Sequence, residues 1–284
     1  MSAAVADAPP SQAPLPGSAL RPVERHRGQG ERRYDDHVAE EVPVAFVYND
    51  RPFAVMMATP ADLEDFALGF ALSEGIVADT REARIESVEH LLEGVEIRLH
   101  IPGHRARALD HRRRSLSGRS GCGICGSELL EAALRRPEPV GPGVTIAERA
   151  LYAALRGLRE GQALNARTGA THAAGWADAD GRILLLREDV GRHNALDKLI
   201  GAMARGGHDP QAGFAVVTSR ASYEMAMKAA GAGIALLAAI SAPTALAISL
   251  AERANLTLIG FARDDGYAVY THPRRIDAGN GDGT

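Results

Sequence analysis

The chain has 284 residues, 45% hydrophobic and 24% charged, enough for a sizeable core in two packed units or in one with a large lobe. Its 32 basic and 36 acidic side chains leave a formal charge of -4; this excludes a global field for nucleic acid and confines any anion site to a local cluster. With 2 cysteines in the whole chain, redox, metal-binding or catalytic work is a better use for the pair than a structural disulfide.

Residues 1–33 are rich in Ala, Pro and Arg and lack the apolar run of a secretory signal, so they read as a disordered tail on a cytoplasmic protein. "VPVAFVYNDRPFAVMMAT" then gives two apolar runs around Asn49 and Asp50, a hairpin signal because both residues tolerate turn angles. In "TPADLEDFALGFALSEG", Thr59 is placed to cap a helix with Pro60 at its first position, and Leu63, Phe66, Ala67 and Phe70 share a core face. "ARIESVEHLLEGVEIRLHI" predicts more antiparallel strand, completing a small α+β lobe over 34–110 before a basic, Gly-bearing loop from 103 to 121.

The second half has a different rhythm. Thr145 and Glu148 form a capping-box pattern ahead of a helix bearing Ala150, Leu151, Ala154, Leu155 and Leu158. A hairpin over "GWADADGRILLLRED" is followed by alternating apolar strands and amphipathic helices to about residue 271. That alternation predicts an α/β lobe with a mixed, largely parallel sheet and helices on both faces. The longest uncharged run, Ala229 to Ala251, is broken by Gly231, Gly233, Ser241 and Pro243 and does not read as a membrane span. Met225, Met227 and Trp176 are assigned to core packing, and His172 and His193 to hydrogen-bonded structural roles.

Ligands of such sheets sit beyond the carboxyl ends of the strands. Four loops qualify: 187–194, 218–224, 240–244 and 261–266. Between them they offer Arg187, Arg192, Arg220, Arg263 and His193. Taken singly, each arginine reads as a solvated charge paired with Glu188, Asp189, Glu224 or Asp264, and only their convergence makes an anion pocket.

Cys122 and Cys125 lie three apart among glycines, in "SLSGRSGCGICGSELLEAALRR". A structural zinc needs a second ligand pair, and His104 and His111 are spaced too widely to supply it. A thioredoxin-like dithiol needs a preceding apolar strand, which "RALDHRRRSLSGRSG" is not. Arg112, Arg113, Arg114 and Arg119 favour thiolates, so sulfur transfer and thiol oxidoreduction both remain open on spacing alone.

The strings "SGCGICGSELL", "TGATHAAGW", "EDVGRHNALDKLIG", "TSRASYEMAMKAAGAGI", "SAPTALAISLAE" and "LTLIGFAR", with the N-terminal hairpin and helix, resemble in order the formate dehydrogenase accessory sulfurtransferase family (FdhD). The resemblance runs from about residue 40 to 275. It implies a cytidine-deaminase-like C-terminal lobe over 127–284, a mobile Cys loop over 111–126 and a homodimer. It also implies a cytosolic sulfurtransferase that takes sulfur from a cysteine desulfurase. The recipient would be the molybdenum or tungsten bis(molybdopterin guanine dinucleotide) cofactor of the formate dehydrogenase catalytic subunit.

By the same resemblance Cys122 is the persulfide carrier and Cys125 the second thiol. Phe261, Ala262, Arg263, Asp264, Asp265 and Gly266 match the cofactor-contacting segment. No permanently bound metal and no membrane or nucleic-acid partner is expected. Deamination is not: His172-Ala173-Ala174 has alanine where the deaminase motif has its acid, and the C-x-x-C precedes it. A cofactor-binding chaperone without covalent sulfur chemistry is the alternative function, and a zinc-dependent hydrolase a second rival.

Overall fold

The computed structural model describes residues 15–27, 30–117 and 137–277, so Cys122 and Cys125 lie outside the described residues. The expected tail is partly folded: β1 (Ser18–Arg27) and β2 (Gly30–Ala39) pair antiparallel from Ser18 opposite Ala39 to Arg27 opposite Gly30. Both strands are polar on both faces, so the hydrophobic pattern gives no sign of a pairing made by the backbone. Its base is tied down where Glu40 N–H donates to Gly17 O at 2.8 Å and His37 is buried.

β3 (Val42–Tyr48) and β4 (Arg51–Ala58) form the expected hairpin, with Asn49 and Asp50 at φ 47° and 62°. With β5 (Arg84–His90) and β6 (Val95–His100) they make a four-stranded sheet in the order β4-β3-β6-β5. Helix α1 (Leu63–Ser73) covers it, with Phe66 and Phe70 on Phe46 at ring separations of 5.1 and 4.5 Å. The helix begins at Asp62, in the left-handed region and without a side-chain cap, so Thr59 is not its N-cap. The basic loop expected from residue 103 is helix α2 (Gly103–Ser117). Its Ala and Arg are good helix formers, and Ala106 and Leu109 anchor it on the small lobe's core.

The large lobe is built on a six-stranded mixed sheet in the order β13-β12-β11-β10-β8-β9. Its members are β8 (His172–Asp178), β9 (Ile183–Asp189), β10 (Gly213–Val217), β11 (Leu236–Ala239), β12 (Thr257–Arg263) and β13 (Gly266–Thr271). β10, β11 and β12 run parallel; the flanking pairs are antiparallel. Helix α3 (Glu148–Gly161) packs on one face, and a short α4 (Ala163–Thr168) follows it. Helices α5 (Arg192–Arg205), α6 (Tyr223–Gly231) and α7 (Ala245–Arg253) pack on the other. Trp176, Met225 and Met227 are buried in that second layer, as expected.

The capping box is absent. Ile146 and Ala147 form β7, paired with β14 (Ile276–Asp277), and the helix starts only at Glu148. Burial of Ile146 in the core outweighs a local cap worth about 1 kcal/mol. Beside this pair lies Arg275, 2% exposed, which donates to the carbonyls of Gly141 and Pro142 and to Thr257 Oγ1. Arg275→Met removes all three bonds; Gly141 O keeps Asn255 Nδ2 at 3.4 Å and Pro142 is exposed, so the loss falls mainly on the charged bonds themselves and on the buried Thr257 hydroxyl, at about 1–3 kcal/mol. A fall of about 3 kcal/mol in urea-unfolding stability is the expected result.

The lobes meet where α1 crosses α5, at two glycines. A Cβ on Gly69 would overlap the carbonyl oxygen of Asp197, and one on Gly201 that of Asp65. Flanking this crossing, Lys228 Nζ contacts Asp197 at 2.9 and 3.0 Å, Ser73 Oγ at 3.0 Å and Glu74 Oε1 at 3.0 Å. Burial would lower the Lys228 ammonium, but Asp197 and Glu74 together hold it above the usual lysine range.

Candidate functional site

The loops after β10, β11 and β12 are laced together sideways. Thr218 N–H donates to Ala173 O, Ile240 N–H to Val217 O, Thr244 N–H to Ala221 O, each at 3.0 Å, and Phe261 N–H to Ser241 O at 3.2 Å. The carboxyl ends of the strands therefore form one continuous ledge. α6 and α7 start on it, each capped by its own hydroxyl: Ser222 accepts from Met225 N and Thr244 from Ala247 N.

The β9–α5 loop completes the ledge and is fixed to the small lobe. Asp189 Oδ2 lies 2.7 Å from Lys198 Nζ and accepts Thr59 N–H at 3.0 Å, while Val190 N–H donates to Thr59 Oγ1 at 3.1 Å. Asn194 Nδ2 reaches both Met57 O (2.8 Å) and Asp189 Oδ1 (3.0 Å). Lys198 and Asp189 are both fully buried, and burial pushes the Lys198 amine below the usual lysine range although Asp189 pulls it the other way. Thr59 thus holds a loop of the other lobe, the role that its sequence disguises as a cap. The one local signal was a lysine on the apolar side of "NALDKLIG".

The arginines separate into two kinds. Arg187 is committed to Asp65, through Nε at 2.8 Å and a second nitrogen at 2.7 Å, and belongs to the lobe interface rather than to the ledge. Arg192, Arg220 and Arg263 have no carboxylate partner among the described residues. The acids beside them in sequence are occupied elsewhere. Glu188 accepts the backbone N–H groups of Leu164 and Asn165, Asp189 is with Lys198, and Asp264 is with Arg159 at 2.7 Å. Glu224 faces His193 Nε2 at 2.8 Å.

His172 opens β8 with Nδ1 3.4 Å from Thr218 Oγ1. Burial first, then the nearby Arg192 guanidinium, holds its imidazole below the usual histidine range. His193 is lowered too, chiefly by burial; Glu224 opposes this, and Arg192 and Lys228 reinforce it.

The 261–266 segment is less uniform than a contact stretch suggests. Phe261 sits in a β-bulge at φ 51° with its ring 45% exposed, and Arg263 is exposed with Nε 3.4 Å from Ile240 O. A phenylalanine held at positive φ is uncommon enough to mark a position where the ring's direction matters. Ala262 is buried in the core under α3, 1% exposed, so it anchors the segment rather than presenting a surface. Asp264 is tied to Arg159, whose guanidinium holds its carboxyl below the usual range; Asp265 and Gly266 (φ 150°) make the turn into β13.

Residues 140–143 lie at the opposite, amino ends of the parallel strands. Val140 N–H donates to Ala254 O at 2.9 Å, Asn255 Nδ2 to Val140 O at 2.8 Å, and Gly143 N–H to Gln211 Oε1 at 2.8 Å, just ahead of β12 and β10. A strand length, roughly 17 Å for five residues, separates this tether from the ledge.

Residues 39–277 match the model of the FdhD/NarQ family. The chain is 62% identical over 271 residues to the sulfur carrier protein FdhD of Xanthomonas euvesicatoria pv. vesicatoria, covering 95% of this chain and 96% of that one. It is 54% identical over 244 residues to the protein of the same name from Cupriavidus necator, covering 85% and 84%. Among solved structures, a formate dehydrogenase accessory protein from Desulfotalea psychrophila superposes with a TM-score of 0.74 at 26% identity, over 92% of this chain and all of that one.

Proposed function

Because this chain belongs to the FdhD/NarQ family, we propose that it carries sulfur for the maturation of formate dehydrogenase, with Cys122 as the carrying thiol. Its 62% identity to a sulfur carrier protein, over almost the whole of both chains, supports the transfer role. The observation that carries the cargo assignment is the ledge. Three arginines there lack carboxylate partners among the described residues, beside an exposed aromatic ring, in a protein of net charge -4. Such a surface suits the phosphates and flat bases of a guanine dinucleotide cofactor, here the molybdenum (or tungsten) cofactor of the client enzyme, held as cargo.

The chemistry balances without an added oxidant. The Cys122 thiolate attacks the outer sulfur of the persulfide on a cysteine desulfurase, forming Cys122–S–S–H after proton uptake and releasing the donor as a thiolate. Cys125 has a defined use in delivery: its thiolate attacks Cys122 Sγ, forms the disulfide and expels hydrosulfide, and a thiol reductant then resets the pair. Holding the cargo on the same molecule raises the effective concentration of the sulfur beside it. The 12 residues from Cys125 to Pro137 span up to about 40 Å when extended, more than the strand length between tether and ledge.

The test is the intact mass of the chain after incubation with a cysteine desulfurase and cysteine. The wild type is expected to gain one sulfur atom that a thiol reductant removes, and Cys122→Ala to gain none. A purely chaperoning protein gains none in either form. Equal gain by Cys122→Ala would assign the carrier role to another residue.

A further inference from the structure

We propose that Arg192 seats a phosphate of the nucleotide-bearing cargo, and that His172 and His193 become added N–H donors to that phosphate once it is bound. This rests on the reading of the ledge as the cargo edge, and identifies which of its loops makes the decisive contact.

Of the three arginines without a carboxylate partner among the described residues, Arg220 and Arg263 are exposed. Arg192 is half-buried, and its Nε is sealed from solvent with no hydrogen-bond partner among the described residues. A buried charged donor without an acceptor is expensive, more so than a neutral one, unless an acceptor arrives from outside. A phosphate does so with paired oxygens that match the guanidinium fork.

The surroundings agree. Arg192 is the first residue of a 14-residue helix whose N-cap, Gly191, supplies no side-chain acceptor, unlike Ser222 and Thr244 on the neighbouring helices. First-turn amides therefore point to the same corner. His193 Nε2 is likewise buried without an aligned hydrogen bond, although Glu224 Oε2 stands 2.8 Å away. Gly191 leaves room here: a Cβ would lie 2.7 Å from Asn194 Nδ2, the amide that ties the loop to Met57 O and Asp189 Oδ1.

The charges facing the two imidazoles are few. His193 is met by Glu224, Arg192, Lys228 and Glu74. His172 is met by Arg192; its partner across the strands, Asp189, is engaged by Lys198. In the free protein both rings are held below the usual histidine range, chiefly by burial, which favours their neutral forms. A bound phosphate cancels the field of Arg192 and adds negative charge, which raises the proton affinity of both rings. The complex thus binds more protons than the free protein, and affinity rises as pH falls from 7.5 to 6.

The experiment is isothermal titration of the full chain with guanosine diphosphate and with inorganic pyrophosphate. It is run at pH 7.5 and 6.0, in buffers of different ionisation heat, on the wild type, Arg192→Lys, Arg192→Ala and the double variant His172→Gln/His193→Gln. Arg192→Ala is expected to lose about 10- to 100-fold in affinity for both ligands, and Arg192→Lys less. The wild type is expected to take up protons and to bind about 3- to 10-fold tighter at pH 6.0, both effects vanishing in the histidine double variant.

Binding by both Arg192 variants within twofold of wild type overturns the assignment. Proton release, or unchanged uptake in the double variant, overturns the role of the imidazoles. If the wild type binds neither ligand, the cargo-edge reading itself falls, and the proposal falls with it.

Discussion

Gly201→Ala is expected to cost more than about 4 kcal/mol, a large share of the roughly 5–15 kcal/mol that holds a typical domain folded. Alanine is the better helix former by about 1 kcal/mol, so the whole deficit, and that gain besides, must come from the clash. The added methyl meets the backbone carbonyl of Asp65 rather than a side chain that could turn aside. Gly69→Ala meets the carbonyl of Asp197 across the same crossing. Since either substitution forces α1 and α5 apart, the double variant should cost far less than the sum of the singles. Urea unfolding followed by Trp176 fluorescence measures all three. A Gly201→Ala protein with an unchanged midpoint would show that the lobes do not cross at this distance. The crossing matters to function because separating the helices also pulls Thr59 from Val190 and Asp189, freeing the loop that presents Arg192.

Lys228→Met should cost about 3–5 kcal/mol, because it strands the buried Asp197 carboxylate without its cation. Replacing both members, as in Lys228→Met/Asp197→Leu, removes the stranded charge and should recover much of that loss. The pH dependence has a fixed sign. In Lys228→Met the Asp197 carboxyl has burial and no ammonium, so its proton affinity in the fold exceeds that in the unfolded chain. Stability is then greatest below the ordinary carboxylate range and is lost as pH rises, so acidification should narrow the gap from wild type. Chemical unfolding at pH 5 and pH 8 reads this directly. A cost under about 1 kcal/mol for the single variant would mean that the ammonium does not compensate Asp197 in the folded protein.

Much of the fold was legible because its signals are local. Asn49 and Asp50 tolerate the positive φ of their hairpin, and the apolar faces of α1, α5 and α6 repeat at the helical period. What failed depended on distant partners. Thr59 has the form of a cap, but the amide that its hydroxyl accepts belongs to Val190, 131 residues away. Thr145 and Glu148 have the form of a capping box, yet Ile146 is claimed by pairing with Ile276. The β1–β2 hairpin carries no apolar alternation to announce it. At the candidate site, strand topology pointed to the loops that form the ledge, but the arginines looked equivalent. Only the fold shows Arg187 spent on Asp65 and Arg192 left with a buried, unmatched nitrogen.

The segment from Phe261 to Gly266 is held by two unlike means. At its root Ala262 is packed in the core, whereas its tip is clipped by Asp264 to Arg159, an ion pair more than 60% exposed on each side. The reach of such a pair shrinks from about 10 Å in 0.1 M salt to about 3 Å in 1 M, while the packed root is indifferent to ionic strength. Concentrated salt therefore loosens the tip, for as long as it is present, without disturbing the packed root. On the proposed reading of this edge as the cargo site, nucleotide affinity should fall in concentrated salt and recover on desalting, with the fold unchanged throughout.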